Sequence, residues 1–161
     1  MAEEKKLVPL DLVDKIIQLG VVVPDLEKAM EGMRRILGAE PVFVKLMDYP
    51  WVEYFGERVD GKARIASYHL GIELEIMEPV GDCDLAWKDH LRDAPGPGYA
   101  LHHVRFNDVD DVEEFTALMA ERGIKVYQEG ASVVNPGGKF VYYDTREDLG
   151  FVIEVVTTGK K

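Results

Sequence analysis

The sequence predicts an α+β protein in which two copies of a βαβββ module curl into one cup-shaped mixed sheet. Three observations favour this fold. The opening strand and helix of each half can be aligned with one insertion, and Gly38 and Gly123 then correspond as the helix ends. Each half closes on Gly-x-x-x-Glu in an apolar strand, Gly71–Glu75 and Gly150–Glu154. Residues 93–98, Asp-Ala-Pro-Gly-Pro-Gly, are the one strong linker signal of the chain.

Apolar β-branched runs and one capped helix define the first half. Asp25 precedes apolar residues at helical spacing, so a helix of about a dozen residues is expected to end at Gly38. The stretch 48–60 is aromatic and irregular, and a short helix is expected over 84–92. The predicted strands are 15–23, 42–47, 63–68 and 72–77.

The same order returns in the second half. Asp110 and Asp111 cap a predicted helix that runs through Arg122. The predicted strands are 100–106, 124–128, 139–143 and 151–156. The domain organisation expected is an N-terminal arm 1–14, a first module 15–81, a short helix and linker 82–98, a second module 99–157 and a tail 158–161.

Composition excludes several classes of function. A chain of 161 residues holds one compact domain or two half-domains that share a core. Its net charge of −11 argues against nucleic acid, which needs a basic surface. No apolar run approaches the roughly 20 residues that span a bilayer. The first residues lack the apolar core of a signal peptide, and the lone Cys83 fits a reducing compartment, so a cytoplasmic protein is expected.

The repeat also pairs four polar residues within apolar strands. Gln18 and His103 occupy the same place in the two first strands, and Glu75 and Glu154 the same place in the two last strands. Polar groups in such strands are costly unless they are paired or coordinated. An amide, an imidazole and two carboxylates suit a divalent cation with mixed oxygen and nitrogen ligands. The sequence therefore predicts one metal site with these four residues as ligands.

Each residue taken singly also has a simpler interpretation. A Glu in an apolar strand is more often on the exposed side of an alternation, as Glu73 is expected to be. A lone Gln in a strand usually faces solvent. His102 and His103 are adjacent, so they are expected to point to opposite faces, and one of them to be structural.

Several motifs resemble the vicinal oxygen chelate superfamily, which includes glyoxalase I, bleomycin-resistance proteins and dioxygenases. The resemblance covers about residues 15–157 and is closest to the methylmalonyl-CoA epimerase-like branch. It rests on Ala-Leu-His-His-Val-Arg-Phe at 100–106, Gly-Gly-Lys at 137–139, Gly-Phe-Val-Ile-Glu at 150–154 and Glu-Ile-Met-Glu-Pro-Val-Gly at 75–81. That branch has His where this chain has Gln18, whereas glyoxalase I of one type uses a Gln/Glu/His/Glu set. The resemblance implies one divalent ion (Zn, Ni, Co, Mn or Mg) and His103, rather than His102, as its ligand.

The function implied is a metal-dependent isomerase, epimerase or lyase. It would move a proton next to a metal-polarised carbonyl of a small substrate, with acyl-CoA thioesters among the candidates. Glu154 or Glu75 would serve as the base, and Arg105 would hold a substrate carboxylate or phosphate unless it forms a salt bridge instead. Trp51 and Tyr54 are expected to wall the pocket, although such aromatics more often seal a core or a dimer interface.

Two further positions bear on the choice of reaction. The epimerase-like branch has a second acidic base before the Glu75 strand, for which Asp60 is the nearest candidate here. Glyoxalase I carries a glutathione-binding arginine on its first strand, where this chain has Val22. Glutathione is therefore not supported.

Other functions remain open at this point. A non-catalytic binding or resistance-type protein would use the same cup without turnover. A glyoxalase I-like lyase would use the same ligands, and a weaker possibility is a structural role with a partner site at 49–55. A homodimer that binds a small molecule, and neither nucleic acid nor membrane, is expected.

Overall fold

The structure is a computed structural model that describes residues 14–93 and 100–158. The predicted arm, apart from Asp14, lies outside the described residues, as do 94–98 of the predicted linker, residue 99 of the predicted second module and 159–161 of the tail.

The described residues form ten strands and four helices. The strands are β1 (Ile16–Val22), β2 (Phe43–Asp48), β3 (Val52–Tyr54), β4 (Glu57–Val59), β5 (Lys62–Leu70), β6 (Ile72–Val80), β7 (Ala100–Phe106), β8 (Val126–Ala131), β9 (Lys139–Tyr143) and β10 (Val152–Val156). The helices are α1 (Leu26–Leu37), α2 (Ala86–Asp93), α3 (Val112–Glu121) and α4 (Arg146–Leu149). The strands predicted at 100–106 and 139–143 have the predicted bounds.

Capping residues set the start of the two long helices, as the sequence predicts. The side chain of Asp25 accepts a hydrogen bond from the backbone N–H of Lys28, and Asp111 does the same for Glu114. Gly38 ends α1 in the left-handed conformation, with a φ of 63°. The repeated glycines share this conformation, because Gly38, Gly123, Gly71 and Gly150 all have positive φ.

All ten strands join one sheet in the order β2-β5-β6-β1-β7-β10-β9-β8-β3-β4. In each half the first strand lies parallel to the last, β1 beside β6 and β7 beside β10. The two halves meet where β1 pairs antiparallel with β7. Counted from the two ends of the run β2-β5-β6-β1-β7-β10-β9-β8, the corresponding strands are β2 and β8, β5 and β9, β6 and β10, and β1 and β7. Two modules related by a pseudo-two-fold axis require this symmetry. The predicted α+β fold with a curled mixed sheet is confirmed.

A hairpin within the first half is the main departure from the predicted elements. The stretch 48–60 contains β3 and β4, and β3 pairs antiparallel with β8 of the second half. The first module thus extends the far edge of the second. Two strands of three residues carry little periodicity, and their partner is distant in sequence, so the local pattern does not reveal them. The single turn α4 is also absent from the prediction.

Three apolar clusters show where the helices lie. Helix α1 covers one side of the first half, where Leu26 packs with Tyr68 and Ile76. Helix α3 covers the second half, with Phe115 against Tyr143. The third cluster lies on the other face of the sheet, and helix α2 with the residue before it fills part of it: Leu85, Ala86 and Trp87 pack among Val22, Met77, Tyr142, Val152 and Val156.

Trp87 is expected to be the main anchor of α2. Its side chain is fully buried and its indole N–H donates to the hydroxyl of Tyr142 at 3.1 Å. Trp87→Ala should lower the free energy of unfolding by about 3–5 kcal/mol, because it leaves a cavity and an unpaired hydroxyl. Urea denaturation measures this. The matched control is Trp51→Ala, whose side chain is only half-buried and should cost about 1 kcal/mol or less. Equal losses in the two variants would contradict this role of α2.

Candidate functional site

The four central strands of the sheet each carry one of the four predicted ligands. Gln18 lies on β1, Glu75 on β6, His103 on β7 and Glu154 on β10. The backbone register staggers them, because Gln18 and Glu154 are both Cα partners of Arg105, whereas Glu75 and His103 are both partners of Gly20. The four side chains therefore lie at two different levels along the strand direction, on the inner face of the sheet.

The structure brings these side chains together around the imidazole of His103. Its Nε2 lies 3.2 Å from Oε1 of Gln18, 3.3 Å from Oε2 of Glu154 and 3.5 Å from Oε2 of Glu75. All four are well shielded, with His103 fully buried and the Glu75 side chain 15% exposed. Within residues 14–93 and 100–158, no group of three or more His, Cys, Asp or Glu side chains is arranged so that it could hold a metal ion. The amide and both carboxylates instead contact the imidazole directly.

Gly20 makes room for this imidazole. It lies beside His103 in the β1–β7 pair, and a Cβ at Gly20 would overlap the His103 ring. The corresponding position of the second half is Arg105, since Gly20 and Arg105 are the partners of Glu75 and Glu154. The two halves thus differ where the ring needs space.

Burial and charge act against each other at the site. Burial raises the pKa of the Glu154 carboxyl to about 7, and the positive charges of His103 and Arg105 limit the rise. Burial alone would lower the pKa of His103, but the charges of Glu154 and Glu75 outweigh it and hold this pKa above its ordinary value. Oε2 of Glu154 is buried and forms no hydrogen bond within the described residues.

A cavity of about 230 Å³ opens above these side chains. One part of its wall is apolar and aromatic. In this wall, burial raises the pKa of Tyr49 well above its ordinary value, and the charges of Glu75 and Glu154 raise it further. The Tyr49 hydroxyl therefore stays neutral. The polar and charged side chains in its lining include Gln18, Glu73, Glu75, Arg105 and Glu154, and the apolar ones include Phe43, Met47 and Phe140.

The structure does not place the other two predicted substrate-binding residues on this cavity. Trp51 lines a separate groove with Pro136 to Lys139. The hydroxyl of Tyr54 donates to Asp89 of α2 at 2.7 Å. Both residues belong to the region of the β3–β4 hairpin, which crosses to the far edge of the sheet. Tyr49, which lies three residues before β3 begins, lines the cavity instead.

Arg105 forms the salt bridge that the sequence leaves open for it, and it also lines the cavity. Its guanidinium donates to Asp108 at 2.6 Å, so the salt bridge exists. The side chain also lines the cavity, and its Nε is buried without a hydrogen-bond partner among the described residues. Arg105 therefore presents a cation to the space beside Glu154.

Two carboxylates behave differently from their expected roles. Asp60 is 70% exposed beside Lys62 and is absent from the cavity wall. Glu73, expected on an exposed face, instead lines the cavity and accepts a hydrogen bond from Ser67 Oγ at 2.8 Å. The available signal was its spacing of two from Glu75, which puts both on one face of the strand.

His102 also departs from the simple alternation. The register of β7 against β1 shifts between His103 and Leu101, so His102 is an extra, bulged residue. The expectation that the two histidines face opposite ways is therefore wrong, because their Nδ1 atoms lie 2.9 Å apart.

Comparison with known proteins identifies the family. The model of the Glyoxalase/Bleomycin resistance protein/Dioxygenase superfamily matches residues 17–143, which is more than half of the chain. The chain belongs to this superfamily. No curated protein matches it significantly. None of the helices in the described part of this superfamily member is long and apolar enough to cross a bilayer.

Solved structures share the fold at low identity. Methylmalonyl-CoA epimerase from Mycobacterium tuberculosis superposes with a TM-score of 0.64 at 16% identity, over 94% of this chain and 93% of that chain. A hypothetical protein from Bacillus halodurans C-125 also gives 0.64 at 16% identity, over 91% and 96%. A variant of Streptomyces coelicolor methylmalonyl-CoA epimerase, in complex with 2-nitronate-propionyl-CoA, gives 0.60 at 19% identity, over 91% and 95%.

The close approach of Gly20 to His103 yields a stability test. Gly20→Ala should lower the free energy of unfolding by about 1–3 kcal/mol, because the new methyl group forces the buried imidazole aside. Gly32→Ala is the control, since a Cβ at this position of α1 meets no atom within 4 Å. It should raise stability by about 0.5–1 kcal/mol, as alanine replaces glycine in a helix. Thermal and urea unfolding compare the two. A stabilised Gly20→Ala variant would show that the ring does not fill this space.

Proposed function

We propose that this protein is a divalent-metal-dependent isomerase or epimerase that moves a proton next to the carbonyl of a small thioester substrate, of the acyl-CoA class. The observation that carries the proposal is the convergence of Gln18, Glu75, His103 and Glu154 beneath one cavity of a single chain. The epimerase neighbours support the substrate class by fold only. A homodimer and a cytoplasmic location are expected with this function.

The four side chains fit a divalent ion. Donor atoms around one octahedral ion, with bonds of about 2.1–2.4 Å, lie about 3.0–3.4 Å apart. The oxygens of Gln18, Glu154 and Glu75 lie 3.2–3.5 Å from Nε2 of His103. Oε2 of Glu154 is buried and accepts no hydrogen bond from the described residues, which is costly unless a cation or proton occupies it. The mixed donor set accepts Zn, Ni, Co, Mn or Mg.

When bound, the ion supplies Lewis-acid chemistry by polarising a substrate carbonyl and stabilising negative charge beside it. Arg105, buried beside Glu154, holds a substrate carboxylate in the cavity. Whichever of Glu154 and Glu75 does not hold the ion at that moment takes the proton from the adjacent carbon onto a carboxylate oxygen and returns it.

Glu73 is the carboxylate of this cavity that the predicted ligand set does not use. Glu73, Gln18, Arg105 and Glu154 are successive Cα partners across β6, β1, β7 and β10. Three strand spacings of about 4.8 Å separate Glu73 from Glu154, so about 14 Å lies between their Cα atoms. A substrate above Gln18 and Arg105 would therefore meet a carboxylate on either side. Inversion of a carbon centre needs proton removal on one face and return on the other, and Glu73 supplies the second group.

The cavity volume restricts the substrate. Pockets for whole drug-sized ligands are about 300–1,000 Å³, larger than the 230 Å³ found here. The cavity therefore takes a short acyl group, with the rest of a thioester outside. The lyase alternative uses the same ligands, but Val22, at the place of the glutathione-binding arginine, is fully buried and offers no charge.

Metal content and proton exchange test the proposal together. Protein loaded with Zn²⁺, Co²⁺, Ni²⁺ or Mn²⁺ should bind about one ion and exchange the α-proton of a 2-methylmalonyl thioester in deuterium oxide, as followed by NMR. Glu154→Gln should reduce exchange by about 10²–10⁴-fold, because a positioned base contributes that much. EDTA should abolish exchange, and added ion should restore it.

Three outcomes would go against this function. Absence of bound ion together with tight binding of an aromatic ligand would favour the binding-protein alternative. Turnover of hemithioacetals in place of thioesters would favour the lyase. Full exchange by the Glu154→Gln variant would remove that residue from the mechanism.

Glu73→Gln separates exchange from inversion. Starting from one stereoisomer, the variant should still exchange the proton that Glu154 removes, but inversion should fall by about 100-fold or more, since the second proton carrier is lost. Chiral chromatography and NMR measure the two rates. Asp60→Asn is the control and should leave both unchanged, because Asp60 is exposed away from the cavity. Loss of inversion in Asp60→Asn, and not in Glu73→Gln, would reverse the assignment.

A further inference from the structure

Both central strands contain a bulge immediately before their ligand. The register of β1 against β7 skips Ile17, just before Gln18, and skips His102, just before His103. The pseudo-two-fold axis therefore makes Ile17 and His102 equivalent. A bulge redirects side chains, and it brings Nδ1 of His102 to 2.9 Å from Nδ1 of His103.

The contact between the two imidazoles has a definite direction once Nε2 of His103 serves as a ligand. A neutral imidazole that offers the lone pair of Nε2 carries its proton on Nδ1. Nδ1 of His103 then donates, and Nδ1 of His102 accepts. Metal-bound histidines nearly always donate their second N–H to a fixed partner, which sets both tautomer and ring orientation.

His102 is itself held in place from two sides. Its ring lies 5.1 Å from His90 of α2, at 88°, and 5.4 Å from Tyr142 of β9, at 70°. Only 2% of the residue is exposed. Helix α2, buried against the inner face of the sheet, thus supports the ring that contacts His103.

A purely space-filling role would not require histidine. The equivalent residue of the first half is the apolar Ile17, and its neighbour Gln18 is an amide that has no tautomer to fix. The imidazole at the bulge is present only in the half whose ligand is also an imidazole.

We infer that His102 is a positioning residue, which accepts the Nδ1–H of His103 and so keeps Nε2 of His103 aimed at Gln18, Glu75 and Glu154. This rests on the proposed function for the ion, because the direction of the hydrogen bond follows from Nε2 of His103 serving as a ligand. His102 contacts neither ion nor substrate and acts through His103.

The hydrogen-bond direction can be measured directly in the zinc-loaded protein. Long-range ¹H–¹⁵N spectra of the histidine-labelled, zinc-loaded protein should show His102 with a bare, hydrogen-bonded Nδ1 and a protonated Nε2. A proton on Nδ1 of His102 would overturn the inference. This readout is independent of whether the protein turns over a substrate.

Metal affinity then tests the positioning. His102→Ile copies the first half and removes the acceptor, so zinc affinity by calorimetry should fall about 10–100-fold, and the cobalt-loaded protein should show an altered visible spectrum. His102→Asn keeps an acceptor near Nδ1 and should bind within about threefold of the original protein. His69→Ile replaces an exposed histidine and should change nothing. Unchanged affinity and spectrum in folded His102→Ile would overturn the inference, and no zinc binding by the original protein would overturn the proposed function instead.

Discussion

The antiparallel pairing of β1 with β7 is the constraint on which the site depends. This one pair joins the two halves and sets Gln18 opposite Arg105 and Gly20 opposite His103. Each of its strands also lies parallel to the last strand of its own half, which positions the two glutamates. Because side chains alternate along a strand, a slip of one residue would turn Gln18 or His103 to the outer face. The bulges in this pair hold the register at the residues that need it.

The proposed function depends on the differences between the two halves rather than on their likeness. The repeat gives each half a first-strand polar side chain and a last-strand carboxylate. Gly20 and Arg105 occupy equivalent positions in the two halves. Gly20 leaves space for the His103 ring, whereas Arg105 supplies a cation. Glu73 and Val152 are also equivalent, since they are the partners of Gln18 and His103. One half thus adds a carboxylate where the other packs apolar core.

The sequence predicts this fold and the four converging residues because both follow from a repeat read at fixed positions. What it misses depends on partners distant along the chain. The bulge at His102 is visible only against β1, and the β3–β4 hairpin only against β8. Trp51 and Tyr54 lie away from the cavity because β3 pairs with β8 at the far edge of the sheet. The burial of α2 against the inner face has no local signature either.

The cost of burying the site favours an ion over a simple binding pocket. His103 and Glu154 are buried among apolar strands, and Oε2 of Glu154 accepts no hydrogen bond from the residues that the structure describes. Desolvated charges cost several kcal/mol each unless they are compensated. Apolar residues would enclose a neutral ligand at lower cost. In the proposed function, a cation would offset that cost at both carboxylates at once, and its charge would act on a carbonyl placed in the small cavity above.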